Sequence, residues 1–288
     1  MKKILVPTDF SPNAETALYF AMGMAKQHGS MLILLNVIET PSYDDPSEEI
    51  LNEVKIEKFA AGERLKLLSQ QIDYAGDIKY ECLVELEENA VKGIANISKK
   101  TEADLIVMGT KGEKGAADFV FGTITSGVIE DAQCPVLAVP EGTRLDRPIK
   151  KMTYATDFLQ SDLGAIKTAV VLATAWNASL NIVHVYEEGV SVVEPEQDVE
   201  KLGKFIKLAT QKINYERMSF ELLTGDDVES RLLEYTNSSK TDILLLSTKH
   251  RNYFGRLLNT SLTQNLARLA SVPLIAFHHH KEKPAFKV

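Results

Sequence analysis

The sequence predicts an α/β protein made of two repeated, doubly wound domains, each a five-stranded parallel sheet flanked by helices. Two observations predict this architecture: the second half of the chain repeats the first, and short aliphatic segments alternate with amphipathic segments within each half. A length of 288 residues fits two domains of about 150 residues, each large enough for its own core. We place the domains at residues 1–142 and 149–280, on either side of a short polar linker.

The internal repeat is carried by two pairs of matching segments. Val6–Phe10 returns 148 positions later as Tyr154–Phe158, with the tripeptide Thr-Asp-Phe in both copies. Asp104–Gly109 returns only 138 positions later, as Asp242–Ser247. The ten positions that the second copy lacks correspond to the Pro- and acid-rich segment 39–49, which is predicted to be a surface loop.

Strands and helices are predicted to alternate along each copy. The apolar segments are short and mostly β-branched or Leu, which is typical of strands buried on both faces. The segments between them have helical periodicity, and the first helix opens with a Ser11-Pro12 start signal. Such alternation requires right-handed crossovers and produces a parallel sheet, with ligands bound beyond the carboxyl ends of the strands. In the first copy the predicted strands are 3–6, 31–37, 78–84, 105–108 and 136–139, and the predicted helices are 14–27, 50–72, 88–100 and 122–132.

The charge and the cysteine content of the chain indicate which partners it can bind and in which compartment it is located. The net charge is −8 with 25% charged residues, which argues against binding of nucleic acid through a basic face. Cys82 and Cys134 are too few for a disulfide framework and favour reduced thiols in a cytoplasmic protein. No apolar segment reaches the roughly 18 residues of a membrane span. We therefore expect a cytoplasmic location, with neither membrane insertion nor nucleic-acid binding.

A glycine-rich segment after the fourth predicted strand is the strongest local signal for a ligand. Gly109, Gly112 and Gly115 follow the buried strand, and Gly122-Thr123 opens the next helix. Glycines let backbone N–H groups approach a phosphate, and a helix N-terminus favours anions. The segment is neither a Walker loop nor a dinucleotide fingerprint, since it lacks both spacings.

The spacing Gly109-x2-Gly112-x9-Gly122-Thr123 resembles the ATP-binding signature of the universal stress protein family, and both copies resemble that family. The resemblance implies a tandem universal stress protein with strand order 3-2-1-4-5 in each domain. It also implies ATP in the N-terminal domain, alone or with Mg²⁺ or Mn²⁺, and a role as a nucleotide-dependent sensor or regulator. By analogy with the family's pairing, the fifth strands at 135–139 and 273–277 are predicted to form an intramolecular pseudo-dimer, and a further homodimer is left open.

The resemblance also assigns site residues. Asp9 corresponds to the carboxylate that contacts ribose, and the backbone of Val37 corresponds to the adenine reader. A helix cap is the alternative for Asp9, although Ser11 already supplies one, and core packing is the alternative for Val37. No metal ligand is assigned. The full predicted nucleotide-binding set is Pro7, Thr8, Asp9, Val37, Met108, Gly109, Gly112, Gly122, Thr123, Ile124 and Thr125.

The first copy departs from the family at two positions of the loop. Glu113 stands where the family often has a basic residue, and Lys111 stands where it often has His. A carboxylate beside a triphosphate would weaken binding, which Lys111 and Lys114 could offset. The alternative is a solvated loop in which none of these charges contacts a ligand.

The second copy is predicted to hold no nucleotide. Gly109, Gly112 and Gly122 become Ser247, His250 and Thr260, so side chains occupy the space of the phosphates. Asp157 and Ser261 are retained, and the basic residues of this segment leave two alternatives: a small-anion site, or a domain kept for packing and pairing. The run 278–280 of three histidines is predicted to be an exposed tail rather than a metal site, because adjacent strand residues point to opposite faces.

No catalytic set of residues is legible, so the chain is not predicted to be a dedicated enzyme, and slow ATP hydrolysis is left open. Two other functions compete with the nucleotide sensor. One is a nucleotide-free scaffold that binds an apolar ligand or a protein partner. The other is an adenylyl-transferring enzyme, for which no substrate pocket is apparent.

Overall fold

The computed structural model describes residues 1–40, 47–110, 122–143, 147–158, 162–187, 195–247 and 272–277. The chain divides into two compact units. Unit 1 contains the described residues up to 143 and unit 2 those from 147 onward. Each unit is an α/β layer structure with a parallel sheet.

Unit 1 confirms the predicted fold class. Its strands pair in parallel in the order β3-β2-β1-β4-β5, so the strand order reverses between β1 and β4. Its elements are β1 (Lys3–Pro7), α1 (Pro12–His28), β2 (Met31–Glu39), α2 (Glu48–Ala75), β3 (Tyr80–Glu87), α3 (Ala90–Lys100), β4 (Leu105–Gly109), α4 (Thr123–Asp131) and β5 (Val136–Val139).

Unit 2 repeats the same order, β8-β7-β6-β9-β10, again with parallel pairing. The predicted fold class is therefore confirmed in both units, while the pairing of the two fifth strands stays a prediction. The described elements are β6 (Lys151–Ala155), α5 (Asp162–Trp176), β7 (Ser179–Glu187), α6 (Pro195–Lys212), β8 (Met218–Gly225), α7 (Val228–Ser239), β9 (Ile243–Ser247) and β10 (Leu274–Phe277).

Local sequence signals set the limits of α1. The Ser11 hydroxyl accepts a hydrogen bond from the Ala14 N–H at 3.2 Å, and Pro12 occupies the first helical position. Gly29 ends the helix with φ 63°, a left-handed conformation that glycine adopts without cost. The predicted start signal at Ser11-Pro12 is confirmed.

The strands at the centre of unit 1 form its core. Every residue of β4 is buried, and Ile4, Leu5 and Val6 of β1 have no exposed surface. The edge strand β3 differs: it runs from Tyr80 to Glu87 rather than over 78–84, and most of its residues are only half-buried. An edge strand pairs on one side only, so polar residues alternate with apolar ones along it. The apolar pattern therefore predicted an end for this strand that is too early.

The two cysteines are expected to differ in reactivity. Cys134 is buried, and that burial raises its thiol pKa to about 12, whereas Cys82 is exposed on β3, although partial burial raises its pKa as well. Because the thiolate is the reactive form, a thiol reagent at mildly alkaline pH should modify Cys82 in the native protein and Cys134 only after unfolding. Counting thiols with and without urea checks this, and Cys82→Ser should remove the native signal. Two thiols reacting in the native protein would contradict it.

Among the described helices, none is both long enough and apolar enough to span a bilayer.

Candidate functional site

The turn after β1 is held by the neighbouring strand. The Thr8 N–H donates to the Leu35 carbonyl at 2.8 Å, and the Asn36 side-chain amide donates to the Thr8 carbonyl at 2.8 Å. The Thr8 hydroxyl accepts from the Phe10 N–H at 3.0 Å, and Phe10 itself has φ 64°. These bonds fix a tight turn directly beyond Pro7, the last residue of β1.

Asp9 lies exposed on this turn. One of its carboxylate oxygens accepts a hydrogen bond from the Ser11 N–H at 3.0 Å, a local bond typical of Asp in turns. The predicted capping of α1 by Ser11 is confirmed, whereas the bond from the Ser11 N–H to Asp9 was not predicted. The bond orients the carboxylate beyond the end of β1.

Val37 lies where β2 extends past its neighbour. Pairing of β1 with β2 ends at Leu35, while β2 continues to Glu39. Backbone groups on a strand alternate in direction with period two, so those of Val37 point to the same side as those of Leu35, beyond the end of β1. Its side chain packs on α3, because a Cβ added to Gly93 would lie 2.7 Å from a Val37 methyl. The side chain of Val37 is therefore used in packing, as the alternative for this residue predicted. Its backbone groups still point toward the predicted site.

The glycine-rich loop is closed at its base. Thr110 follows β4 and is buried, and its carbonyl accepts a hydrogen bond from the Gly122 N–H at 2.6 Å. The Thr110 N–H donates to the Val139 carbonyl of β5 at 3.1 Å. The two ends of the loop are therefore joined to each other and to the sheet. The predicted residues Gly112, Lys111, Glu113 and Lys114 lie outside the described residues.

The first turn of α4 faces this closure. Gly122 precedes the helix with φ −64° and ψ 159° and makes no side-chain cap, and Thr123 and Ile124 are its first two residues. The buried Thr125 hydroxyl donates to the Gly109 carbonyl at 2.9 Å. That bond ties the start of α4 to the end of β4. The spacing of residues in the sequence did not predict it.

Gly109 is required by packing. A Cβ added there would lie 2.9 Å from the side chain of Asn13 and 3.0 Å from its backbone, so glycine lets the start of α1 approach the end of β4. The sequence predicts that this glycine lets a phosphate approach, and that stays a prediction beside the packing contact between α1 and Gly109. Met108 before it is buried in the sheet.

The predicted residues that the structure describes lie close to one place in unit 1. Asp9 follows β1 and Gly109 ends β4, and these paired neighbours are the strands between which the order reverses. Parallel α/β sheets bind ligands at this reversal. Gly122 is tied to the same edge through Thr110, and Val37 lies one strand away.

Unit 2 repeats three hydrogen bonds of the turn after its first strand. The Thr156 N–H donates to the Val183 carbonyl at 2.9 Å, and the Thr156 hydroxyl accepts from the Phe158 N–H at 3.0 Å. Phe158 has φ 59°, and a ring nitrogen of His184, in place of Asn36, lies 2.6 Å from the Thr156 carbonyl. The sequence repeat is therefore a repeat of hydrogen bonds as well.

The sequence model of the universal stress protein family matches the chain twice, at residues 1–140 and at 148–278. The chain belongs to the universal stress protein family. A universal stress protein of Methanocaldococcus jannaschii is 33% identical over 143 residues, which are 48% of this chain and 81% of that protein.

A solved structure of a universal stress protein shares the fold over nearly the whole chain. One from Archaeoglobus fulgidus DSM 4304 covers 96% of this chain and 96% of its own, with a TM-score of 0.68 at 20% identity. A shorter universal stress protein from Archaeoglobus fulgidus was solved in complex with dAMP. It covers 48% of this chain and 97% of its own, at 23% identity and a TM-score of 0.36.

The second domain of this universal stress protein fills the equivalent place with polar side chains. Tyr154, Asp162 and Ser247 stand where the first copy has Val6, Ala14 and Gly109. Tyr154 and Asp162 have no exposed surface, and Ser247 has 2%.

A buried carboxylate organises this group. The Thr156 hydroxyl donates to Asp162 at 2.5 Å. Burial, followed by the charge of Asp162, raises the pKa of Tyr154 well above its usual value, so the phenol stays protonated. Sequence reasoning missed Asp162; its signal was a single acid in place of alanine at the start of an apolar helix.

Among the described residues, no group of three or more His, Cys, Asp or Glu side chains is placed to hold a metal ion. The histidines at 278–280 lie outside that part of the chain, and so do His250 and Thr260.

Proposed function

We propose that this universal stress protein binds ATP in unit 1 and acts as a nucleotide-dependent sensor or regulator in the cytoplasm. The observation that carries the proposal is the 2.6 Å bond from the Gly122 N–H to the Thr110 carbonyl. It closes a glycine-rich loop at the strand reversal, beside the Asp9 turn. The acidic composition and the two free thiols favour the cytoplasmic location.

Each part of ATP has a matching group in this arrangement. The Asp9 carboxylate can accept hydrogen bonds from two ribose hydroxyls, and the backbone of Val37 beyond the end of β1 can read an adenine edge. The first turn of α4 has no side-chain cap, so its N–H groups at Thr123 and Ile124 can serve the phosphates. Mg²⁺ or Mn²⁺ would arrive with the triphosphate and neutralise part of its charge.

Binding, rather than turnover, is the proposed activity. A general base needs a position within hydrogen-bond reach of the attacking water and a pKa near neutrality. Asp9 is exposed and engaged with the Ser11 N–H, and its proposed contact is the ribose rather than an attacking water. We expect any hydrolysis to be slower than about 1 s⁻¹, the low end of enzymes.

Unit 2 is proposed to remain without nucleotide. The buried group around Asp162 occupies the end of β6 and the start of α5, and Ser247 puts a side chain at the end of β9 where unit 1 has a glycine. ATP would have to displace buried hydrogen-bonded side chains, which costs free energy. The stoichiometry should be one ATP per chain.

The internal repeat supplies a matched pair of variants to test the ribose contact. Asp9→Asn should weaken ATP binding roughly 10- to 100-fold, because hydrogen bonds to a charged acceptor contribute about 1.5–3 kcal/mol. Asp157→Asn, the same change on the equivalent turn of unit 2, should leave the affinity unchanged. Isothermal titration calorimetry measures both affinity and stoichiometry.

Two equivalent ATP sites per chain would contradict the proposal, and so would equal losses in the two variants. If ATP does not bind the wild-type chain at all, the nucleotide-free scaffold becomes the better interpretation.

A further inference from the structure

Helix α2 carries apolar residues on two opposite sides. Its buried side consists of Ala61, Leu65, Ser69 and Ile72, each at most 6% exposed, and packs on unit 1. On the other side, Ile56, Phe59, Leu67 and Tyr74 are 69%, 73%, 63% and 96% exposed. We call these four residues the outer stripe.

The outer stripe runs straight along the helix. Its members are separated by 3, 8 and 7 positions, which correspond to about one, two and two turns at 3.6 residues per turn. Leu67 and Tyr74 each lie two positions after a buried residue, so they point roughly away from the core. From Ile56 to Tyr74 the stripe is about 27 Å long at about 1.5 Å per residue.

The exposed apolar area of the outer stripe is large for a surface that is covered by solvent alone. Phe and Tyr side chains bury about 150–250 Å² each when covered, and most of that area is exposed at Phe59 and Tyr74. With Ile56 and Leu67 added, the patch reaches about 600 Å², the upper end of apolar patches on monomers. A helix paired along the full stripe would approach the roughly 800 Å² per partner of a stable interface.

We infer that the outer stripe is a self-association surface, on which α2 of a second copy of this chain packs in antiparallel orientation. An antiparallel pair related by a two-fold axis brings the same side of each helix together, with residues equidistant from the axis facing each other. Ile56 and Tyr74 are equidistant from position 65. Each isoleucine therefore meets the tyrosine of the other copy.

The charges beside the stripe fit the same register. Lys55 and Asp73 are both exposed, lie on one flank of the stripe, and are 18 positions apart, with their midpoint at position 64. Glu63 and Lys66, also exposed, have their midpoint between 64 and 65. Two copies paired about this centre put Lys55 opposite Asp73 and Glu63 opposite Lys66, each twice. This complementarity favours a second copy over an unrelated apolar partner.

Sedimentation velocity of the full chain over a micromolar concentration series tests the association. The wild type should approach twice the 31.9 kDa chain mass as concentration rises. Phe59→Glu combined with Leu67→Glu should raise the dissociation constant more than about 100-fold, since buried aromatic anchors dominate such interfaces. Lys58→Glu, an exposed change on α2 away from the stripe, is the control and should leave the association within about 3-fold of wild type. Circular dichroism confirms that each variant is folded.

Cysteine cross-linking tests the orientation. In a Cys82→Ser background, a mixture of Ile56→Cys chains and Tyr74→Cys chains should form a disulfide-linked dimer on mild oxidation. Neither variant alone should do so, because like positions lie at opposite ends of an antiparallel pair.

Three outcomes would overturn the inference: a wild type that stays monomeric, an association that survives the double glutamate variant, or cross-linking of Ile56→Cys chains with themselves. A monomer that binds anionic vesicles through these four residues would assign the stripe to a membrane surface instead.

Discussion

Replacing Gly122 with valine is expected to reduce ATP binding more than about 100-fold, equivalent to about 2.7 kcal/mol. Gly122 has φ −64° and ψ 159°, an extended conformation that valine adopts readily. The bond from its N–H to the Thr110 carbonyl does not involve the side chain. Valine should therefore leave unit 1 folded and place its branched side chain in front of the α4 N-terminus, where the phosphates are proposed to lie.

Titration calorimetry of Gly122→Val, with a thermal melt to confirm folding, checks this expectation. Gly122→Ala should give a smaller loss. Thr260→Val, at the matching position of the second copy, should bind ATP like the wild type. If Gly122→Val binds normally, the loop is not the phosphate cradle, and if it fails to fold, Gly122→Ala decides the question.

Replacing Asp162 with alanine is expected to lower the free energy of unfolding of unit 2 by about 2–4 kcal/mol. The Thr156 hydroxyl would lose its acceptor in a fully buried place, and leaving a buried polar group without its hydrogen-bond partner costs about 1–3 kcal/mol. The side chain also leaves a cavity beside Tyr154. No comparable loss is expected in unit 1.

The single tryptophan of the chain makes this measurement selective. Trp176 lies in α5 of unit 2 and is 5% exposed, so its fluorescence during urea unfolding reports on that unit. Asp157→Ala, a half-buried acid on the preceding turn, is the control and should cost less than about 1 kcal/mol. Equal destabilisation by the two variants would show that burial of Asp162 is not the cause.

The fold followed from patterns that are strong in this sequence. The buried strands β1, β2 and β4 each contain a run of aliphatic residues, and the Ser11-Pro12 signal predicted the start of α1 to within two residues. Edge strand β3 was misplaced because one-sided pairing allows polar residues to alternate through it. The repetition of the Thr-Asp-Phe sequence in the two halves of the chain predicted the organisation into two units.

The site was less accessible to sequence reasoning, because one residue type can meet two different needs. Gly109 fits both close approach of a phosphate and packing against Asn13, and only coordinates reveal the 2.9 Å contact. Thr125 fits both a phosphate ligand and the bond to the Gly109 carbonyl. In unit 2, the partners Thr156 and Asp162 were visible in the sequence, but their contact across a turn was not.

The bond between Gly122 and Thr110 has a consequence for how this protein could diversify. Because Gly122 is bonded directly to Thr110, the scaffold already holds the two ends of the intervening sequence together, and the entropy of closing that sequence rises only slowly with its length. The number and identity of residues 111–121 can therefore change without moving β4 or α4. Replacing residues 111–121 alone is therefore expected to change which phosphorylated ligand the proposed site accepts.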